Sequence, residues 1–392
     1  MQDAYIVSAC RTAIGKFQGA FTNLGAPQLG AVAVREALKR AGVPAEAVEE
    51  CILGCVLAAG LGQNPARQAA RGAGLPDRIG SFTVNKVCGS GLKSVMLAAQ
   101  AIRAGDADLI VAGGMENMTR SPYLLPQARE GQRLGHGKLL DSMVNDGLWD
   151  IYNDYHMGNT AELVVEKHGV TRQDQDKYAA ESHRKAVEAQ GKGLFKEEIV
   201  AVEIPDRKAT IRVEVDESPR ADSTYEKLSG LKAVFKKDGT VTAGNASSIN
   251  DGAAAVVVAS ERKVKELNLK PLARVTGYAT GGMAPEWVMM APLEAVANLA
   301  AKTKKPVRDY DLVEINEAFS AAAVALVRKL ELDPAKVNVN GGAVALGHPI
   351  GASGCRILVT LLHAMKQRSA KTGVATLCLG GGNAVALAVE RI

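Results

Sequence analysis

The chain of 392 residues carries the same pattern twice. GSGLKSVMLAAQAI (89–102) aligns with ASGCRILVTLLHAM (352–365) at an offset of 263, which carries Ser90 onto Ser353. LIVAGG (109–114) aligns with TLCLGG (376–381) at an offset of 267, and Ile52–Val56 lies over Leu312–Asn316 at a similar spacing. Similarity at a long fixed offset constrains a fold more than local propensity does, because both halves must then build one topology. We read two α/β halves produced by internal duplication.

Strand-like and helix-like segments alternate in each half, the signature of layered α/β with buried sheets. In the first, Ala4–Ala9 predicts a strand, Leu29–Ala41 a helix stopped by Gly42 and Pro44, and Ile52–Leu57 a strand. Pro65–Arg71 predicts a short helix, Ser81–Val87 an extended segment, Ser90–Ala104 a helix ended by Gly105, and Leu109–Ala112 a buried strand. In the second, Leu312–Ile315 predicts a strand, Phe319–Leu330 a helix, Val337–Asn340 an extended segment, Ser353–Gln367 a helix and Val374–Leu379 a strand. Between the halves, residues 118–247 are charged, with helices expected at Asn159–His168 and Arg172–Gly191 and no buried strand run. An insertion of this length in a compact fold is expected to act as a lid or binding region. TAGNASSINDGAAAVVVAS (242–260) returns to core-like texture. The expected division is 1–117 plus 248–270 as the N-terminal half, 118–247 as an inserted loop domain, and 271–392 as the C-terminal half.

Composition narrows the function. Apolar residues at 47% and charged residues at 23% suffice for a buried core. The net charge of +5 suits an anionic small molecule, and no dense basic block with interleaved aromatics marks a nucleic-acid partner. No apolar run approaches the ~18 residues that span a bilayer. The N-terminal segment reads as a strand rather than a signal or transit peptide, and VERI at the C-terminus is not a peroxisomal address. We therefore expect a cytoplasmic protein without a membrane segment. Six scattered cysteines argue for a reducing compartment; Cys51 and Cys55 lack the partners of a zinc site and read as packing. No metal is expected.

Four blocks carry candidate chemistry. VNKVCGSGLKSV places Cys88 at a strand-to-helix turn, where free backbone N–H groups are expected to stabilise a thiolate and lower its pKa. GGAVALGHPIGASG holds His348 in a Gly-rich turn, expected to be poorly shielded and able to act as a base. Cys88 and His348 precede equivalent helices of the duplication, so pseudo-symmetry brings their helix N-termini together. CLGGG sets Cys378 at a strand end beside N–H groups suited to an oxyanion hole. NEAF puts Asn316 at another strand-to-helix junction, where it caps the helix or polarises a carbonyl.

Together these blocks resemble the thiolase family, the acetyl-CoA C-acetyltransferases and 3-ketoacyl-CoA thiolases. The resemblance runs from AYIVSACRTAIG (4–15) through GQNPARQAA, VAGGMENM, YHMG and NASSINDGAA to the C-terminus. It implies a duplicated five-layer αβαβα fold with a loop domain, assembled as a homo-oligomer, a tetramer rather than a dimer. Carried over, Cys88 is the acylated nucleophile, and His348 activates it and lines one oxyanion hole with Asn316 acting through an ordered water. Cys378 exchanges the α-proton of the second acyl-CoA, and the N–H groups of Cys88 and Gly380 form the other oxyanion hole. His156 and Ser247 are expected against the pantetheine, Leu148, Phe235, Met289 and Phe319 along the tunnel, and Arg220 toward the nucleotide.

The implied reaction is ping-pong acyl transfer, two acetyl-CoA giving acetoacetyl-CoA and CoA. Coenzyme A thioesters are substrates, and no separate cofactor is implied. A degradative thiolase of broader chain length is the alternative. An acyl-carrier-protein ketoacyl synthase, a non-catalytic acyl-CoA-binding protein and a cysteine hydrolase also share parts of this pattern. Ser94, Ser320 and Ala384 depart from the family's usual small residues without removing a reacting group.

Overall fold

The computed structural model describes residues 2–205 and 209–392. The first half supplies β1 (Ala4–Thr12), α1 (Ala26–Ala41), β2 (Glu50–Gly54), α2 (Pro65–Gly72), β3 (Gly80–Val84), α3 (Ser90–Ala104) and β4 (Leu109–Asn117). The insertion contributes α4 (Met157–His168) and α5 (Arg172–Gly191), then β5 (Asn250–Ser260) completes the first half. The second half is β6 (Ala273–Gly282), α6 (Pro292–Thr303), β7 (Leu312–Ile315), α7 (Ser320–Lys329), α8 (Ile350–Gln367), β8 (Thr372–Leu379) and β9 (Asn383–Arg391).

The duplication is visible in strand order. The first half runs β1-β5-β4-β2-β3, with two antiparallel pairings followed by two parallel ones. The second runs β6-β9-β8-β7 with the same sequence of pairings, and its last place is taken by a single parallel bridge, Val313 to Val337. The two half-sheets meet where β1 pairs with β6, at Tyr5–Arg274 and Ile6–Ala273.

The expected extended segment Val337–Asn340 is therefore mostly turn. Asn338 adopts φ 44°, and its side chain takes the place of a strand neighbour. Oδ1 accepts from Ile315 N–H at 2.8 Å, and Nδ2 donates to the Ile315 carbonyl at 2.8 Å. Among the described residues the insertion also pairs Val202–Pro205 with Thr210–Val213 antiparallel, besides two shorter antiparallel pairs at Tyr123–Leu124 with Leu140–Asp141 and Trp149–Asp150 with Tyr155–His156, all concealed by its polar texture.

Alternation along the strands builds five layers. On β5, Ala254, Val256 and Val258 face a core shared with α3 and α8, while Ala253, Ala255, Val257 and Ala259 face α1 and α2. On the other half-sheet, Val374, Ala386 and Ala388 face α6 and α7. The order is helices, sheet, central helix pair, sheet, helices.

The central pair is held close by duplicated glycines. Gly91 on α3 and Gly354 on α8 are related by the 263 offset. A Cβ on Gly91 would stand 2.8 Å from Cys355 N, and one on Gly354 would stand 2.4 Å from Leu92 N. Only a residue without a side chain permits this approach. It fixes the separation of the two helix N-termini, and the candidate site lies there.

Candidate functional site

Cys88 is presented by a strained turn. Val87, immediately before it, has φ 46°, a conformation that is costly for a β-branched residue. Asn85 Oδ1 accepts from Val87 N–H at 3.0 Å, and Ser90 Oγ accepts from Lys86 N–H at 2.8 Å, so side chains hold the turn. The thiol sits one residue before the N-cap of α3.

Cys88, His348, Cys378 and Gly380 line one cavity of about 800 Å³. Leu148, His156, Arg220, Phe235, Ser247, Met289 and Phe319 line it too, so all seven residues expected along the ligand share its wall. Asn316 lies behind that wall. Its Nδ2 is 3.4 Å from His348 Nδ1 and 3.5 Å from Nε2, and its Oδ1 has no protein partner.

The expected depressed pKa of Cys88 does not hold for the resting site. N–H groups of Gly380 and of Cys88 itself favour the thiolate, but burial and the neighbouring Cys378 outweigh them and push the thiol up to about 12. Burial likewise raises Cys378 to about 12, and its sulfur rests 3.9 Å from Met289 Sδ. Nor is His348 poorly shielded: it is only 6% exposed. Burial, and then the charge of Arg356, hold it down at about 3. Both shifts favour the uncharged form, a thiol at Cys88 and a neutral imidazole at His348.

The backbone of His348 is clamped. Gly347 before it has φ 106°, and a Cβ there would fall 2.4 Å from the Asn250 side chain. Asn250 Oδ1 accepts from His348 N–H at 3.0 Å, while its Nδ2 donates to the Gly15 carbonyl and to Ser218 Oγ, both at 3.0 Å. Glu116 accepts from Val56, Leu57 and Gly351 N–H groups, tying the start of α8 to the first half; burial raises it to about 7.

The insertion forms the outer wall. His156 caps α4, its Nδ1 accepting from Gly158 N–H at 3.0 Å. Its ring stacks on Phe235 at 4.8 Å, and Phe235 meets Phe319 edge-on at 5.9 Å. Ser247 N–H donates to the Ala318 carbonyl at 3.0 Å. The wall segment 216–220 is fastened to the first half: Asp216 pairs bidentately with buried Arg11 at 2.7 and 2.9 Å, and Glu217 Oε2 accepts from Lys16 and Ala20 N–H groups at 3.0 Å.

Sequence reasoning missed Asn250, Glu116 and His183. His183 lines the cavity, accepts from Arg220 N–H at 3.2 Å, and is held at about 4 by burial. NASSIN supplied a signal for Asn250, a polar residue opening an apolar strand; none pointed to the other two. Among the described residues, no group of three His, Cys, Asp or Glu could hold a metal ion. The cysteines are unpaired, and Cys55 Sγ lies 3.6 Å from Glu116.

A duplicated α/β fold that gathers two cysteines and a histidine beside a Gly-rich turn defines a thiol-centred enzyme class. The chain matches the thiolase N-terminal domain over residues 4–262 and the thiolase C-terminal domain over 269–391, and it belongs to the thiolase family. It is 57% identical to the acetyl-CoA acetyltransferase of Cupriavidus necator and 55% identical to that of Pseudomonas aeruginosa, each over 100% of both chains. The crystal structure of the Bacillus anthracis acetyl-CoA acetyltransferase superposes with a TM-score of 0.98 at 45% identity, over 100% of this chain and 99% of that one.

Proposed function

We propose that this enzyme interconverts two acetyl-CoA with acetoacetyl-CoA and CoA through an acetyl-Cys88 intermediate. The observation that carries the reading is the convergence of Cys88, His348, Cys378 and Gly380 on one cavity, in a chain of the thiolase family.

With burial favouring the uncharged thiol and imidazole, the proton flow starts from a protonated Cys88 and a neutral His348. Cys88 gives its proton to His348 as its sulfur attacks the thioester carbonyl. The bond from carbonyl carbon to coenzyme A sulfur breaks, and that sulfur takes the proton of Cys378. Cys378 is then a thiolate, and its raised pKa makes it a strong base toward the α-carbon of the second acetyl-CoA. The resulting enolate attacks acetyl-Cys88, the carbon–Cys88 sulfur bond breaks, and the proton held on His348 returns to Cys88. The N–H groups of Cys88 and Gly380 suit the acyl-enzyme oxyanion, and His348 with Asn316 suits the enolate oxygen. No separate cofactor takes part, and the coenzyme A thioesters are substrates.

His156, Ser247, Leu148, Phe235 and Phe319 guide the pantetheine arm, with Arg220 toward the phosphates. Met289 packed against Cys378 supports the short-chain form, since a longer acyl group would have to displace it. Comparing acetoacetyl-CoA with longer 3-ketoacyl-CoA thioesters tests this; preference for the long chain favours the degradative alternative. Intact-mass analysis after mixing with acetyl-CoA tests the core reading. Wild type gains an acetyl group and Cys88→Ala does not; an unmodified wild type overturns it.

A homotetramer fits the exposed Tyr123, Leu125, Leu134 and Leu139 of the insertion, together with the open edge of β3, where Phe82 is exposed. Light scattering on the purified protein reads its mass. Six free cysteines support a cytoplasmic location, and no helix among the described residues is long and apolar enough to cross a membrane.

A further inference from the structure

The His348 block also holds a neighbour to which no role has been given. Ser353 Oγ lies 2.6 Å from His348 Nδ1 and 2.8 Å from the Pro349 carbonyl, with both side chains buried. One hydroxyl proton cannot serve both contacts, so either the serine donates to the ring and leaves the carbonyl, or it donates to the carbonyl and accepts from Nδ1–H.

The symmetry-related residue decides between them. Ser90, one offset earlier, opens α3 as Ser353 lies in the first turn of α8. Its Oγ is 2.6 Å from the Val87 carbonyl and 2.8 Å from Lys86 N. A backbone N–H can only donate, so Ser90 must accept from the loop and give its own proton to the carbonyl of the preceding turn. The longer second-half loop places an imidazole where the first half places that N–H. Asn316 Nδ2, at 3.4 Å, is too distant to compete for Nδ1.

We propose that Ser353 is the positioning residue that fixes the His348 tautomer, accepting from Nδ1–H and leaving Nε2 bare as the base for Cys88. The hydroxyl and the Pro349 carbonyl form a neutral relay behind the imidazole, in the place where many nucleophile systems use a carboxylate. When His348 takes the thiol proton, the imidazolium keeps its Nδ1–H partner without any change of hydrogen bonding. The charged and titratable groups around the ring are Arg356 on α8, Glu116 at the foot of that helix, and the thiols of Cys88 and Cys378. None of them offers Nδ1 a hydrogen-bonding acceptor in the structure.

The proposal rests on the acyl-transfer reading for its kinetic consequence only; the tautomer is read independently. Nitrogen-15 NMR of protein labelled at histidine, with His348 assigned by comparison with His348→Asn, is expected to find Nδ1 protonated and Nε2 bare. In Ser353→Ala that preference is lost and kcat falls about 10- to 100-fold, the loss of a hydrogen bond to a charged group, with KM little changed. Ser353→Thr, which keeps the hydroxyl, restores both. A wild-type His348 protonated on Nε2 overturns the proposal, as does a folded Ser353→Ala with wild-type spectrum and kcat. If wild type fails to acetylate on Cys88, the acyl-transfer reading falls while the spectrum still judges Ser353.

Discussion

The two halves reach their central helices by different routes. In the first, the chain passes from Asn85 to Gly89 in one tight turn, and the serine at the head of the helix is spent on holding that turn. In the second, the chain runs through Gly341–Pro349 before α8, and the equivalent serine, besides the Pro349 carbonyl, meets an imidazole where the first serine meets a backbone N–H. The helix pair, its glycine contact and the strand order are common to both. The two loops differ in length and in residues, so one helix N-terminus carries a thiol and the other an imidazole. A duplicated scaffold thus brings two unlike side chains, the proposed reactants, to one cavity.

Removing either reactant gives the largest effects. Cys88→Ala is expected to lower condensation and thiolysis by at least ~10⁴-fold, and His348→Ala by ~10³-fold or more, because grouped residues fail together. Initial rates from acetoacetyl-CoA plus CoA measure both, and a smaller loss at Cys88 than at His348 would reverse the assigned roles. The spacing is tested next. Gly354→Val forces a side chain against Leu92 N and should cost ~2–4 kcal/mol, read as a lowered urea midpoint. An unchanged midpoint would mean that the helices are not held by that contact. Asn250→Ala removes the anchor of the longer loop, and kcat should fall ~10-fold as His348 N–H loses its acceptor; a pure KM effect would place Asn250 with the ligand instead.

The mildest test concerns pH. With the Cys88 thiol near 12 and His348 near 3, iodoacetamide should react faster with each rise in pH from 7 to 10, with no plateau near neutrality. A plateau between pH 5 and 8 would reveal a preformed thiolate–imidazolium pair. The same groups set acid stability. His348 and His183 are held below the unfolded value of 6.5, so unfolding takes up protons as pH falls beneath it. The histidine contribution, full above 6.5, should therefore decline as pH falls through about 4 and about 3, while Glu116 and Glu314, raised by burial to about 7 and about 8, act in the opposite sense; a His183→Gln variant whose urea midpoint keeps the wild-type pH slope between 6.5 and 4 would contradict the histidine part.

The sequence carried the duplication plainly, because Ser90/Ser353 and Gly91/Gly354 keep one offset and the helix limits follow from Gly and Pro punctuation. That Cys88 and His348 line one cavity followed from that symmetry. Their protonation states did not, since a motif lists nearby N–H donors but not the depth of the cavity, and burial won at both residues. Glu116 was hidden because it acts through partners from remote segments, and the role of Asn250 because its acceptor meets an N–H 98 residues away. Asn338 misled for a related reason, its amide imitating a strand that the backbone does not form.

The buried Arg11–Asp216 pair has a consequence for turnover. It bolts one side of the cavity mouth to the first strand of the molecule, with both side chains sealed from solvent. Breaking such a pair would strand a charge in the interior at a cost of several kcal/mol, so that side cannot swing open in each cycle. The insertion is expected to act there as a fixed sleeve rather than a shutter, with the leaving coenzyme A arm sliding out along the channel.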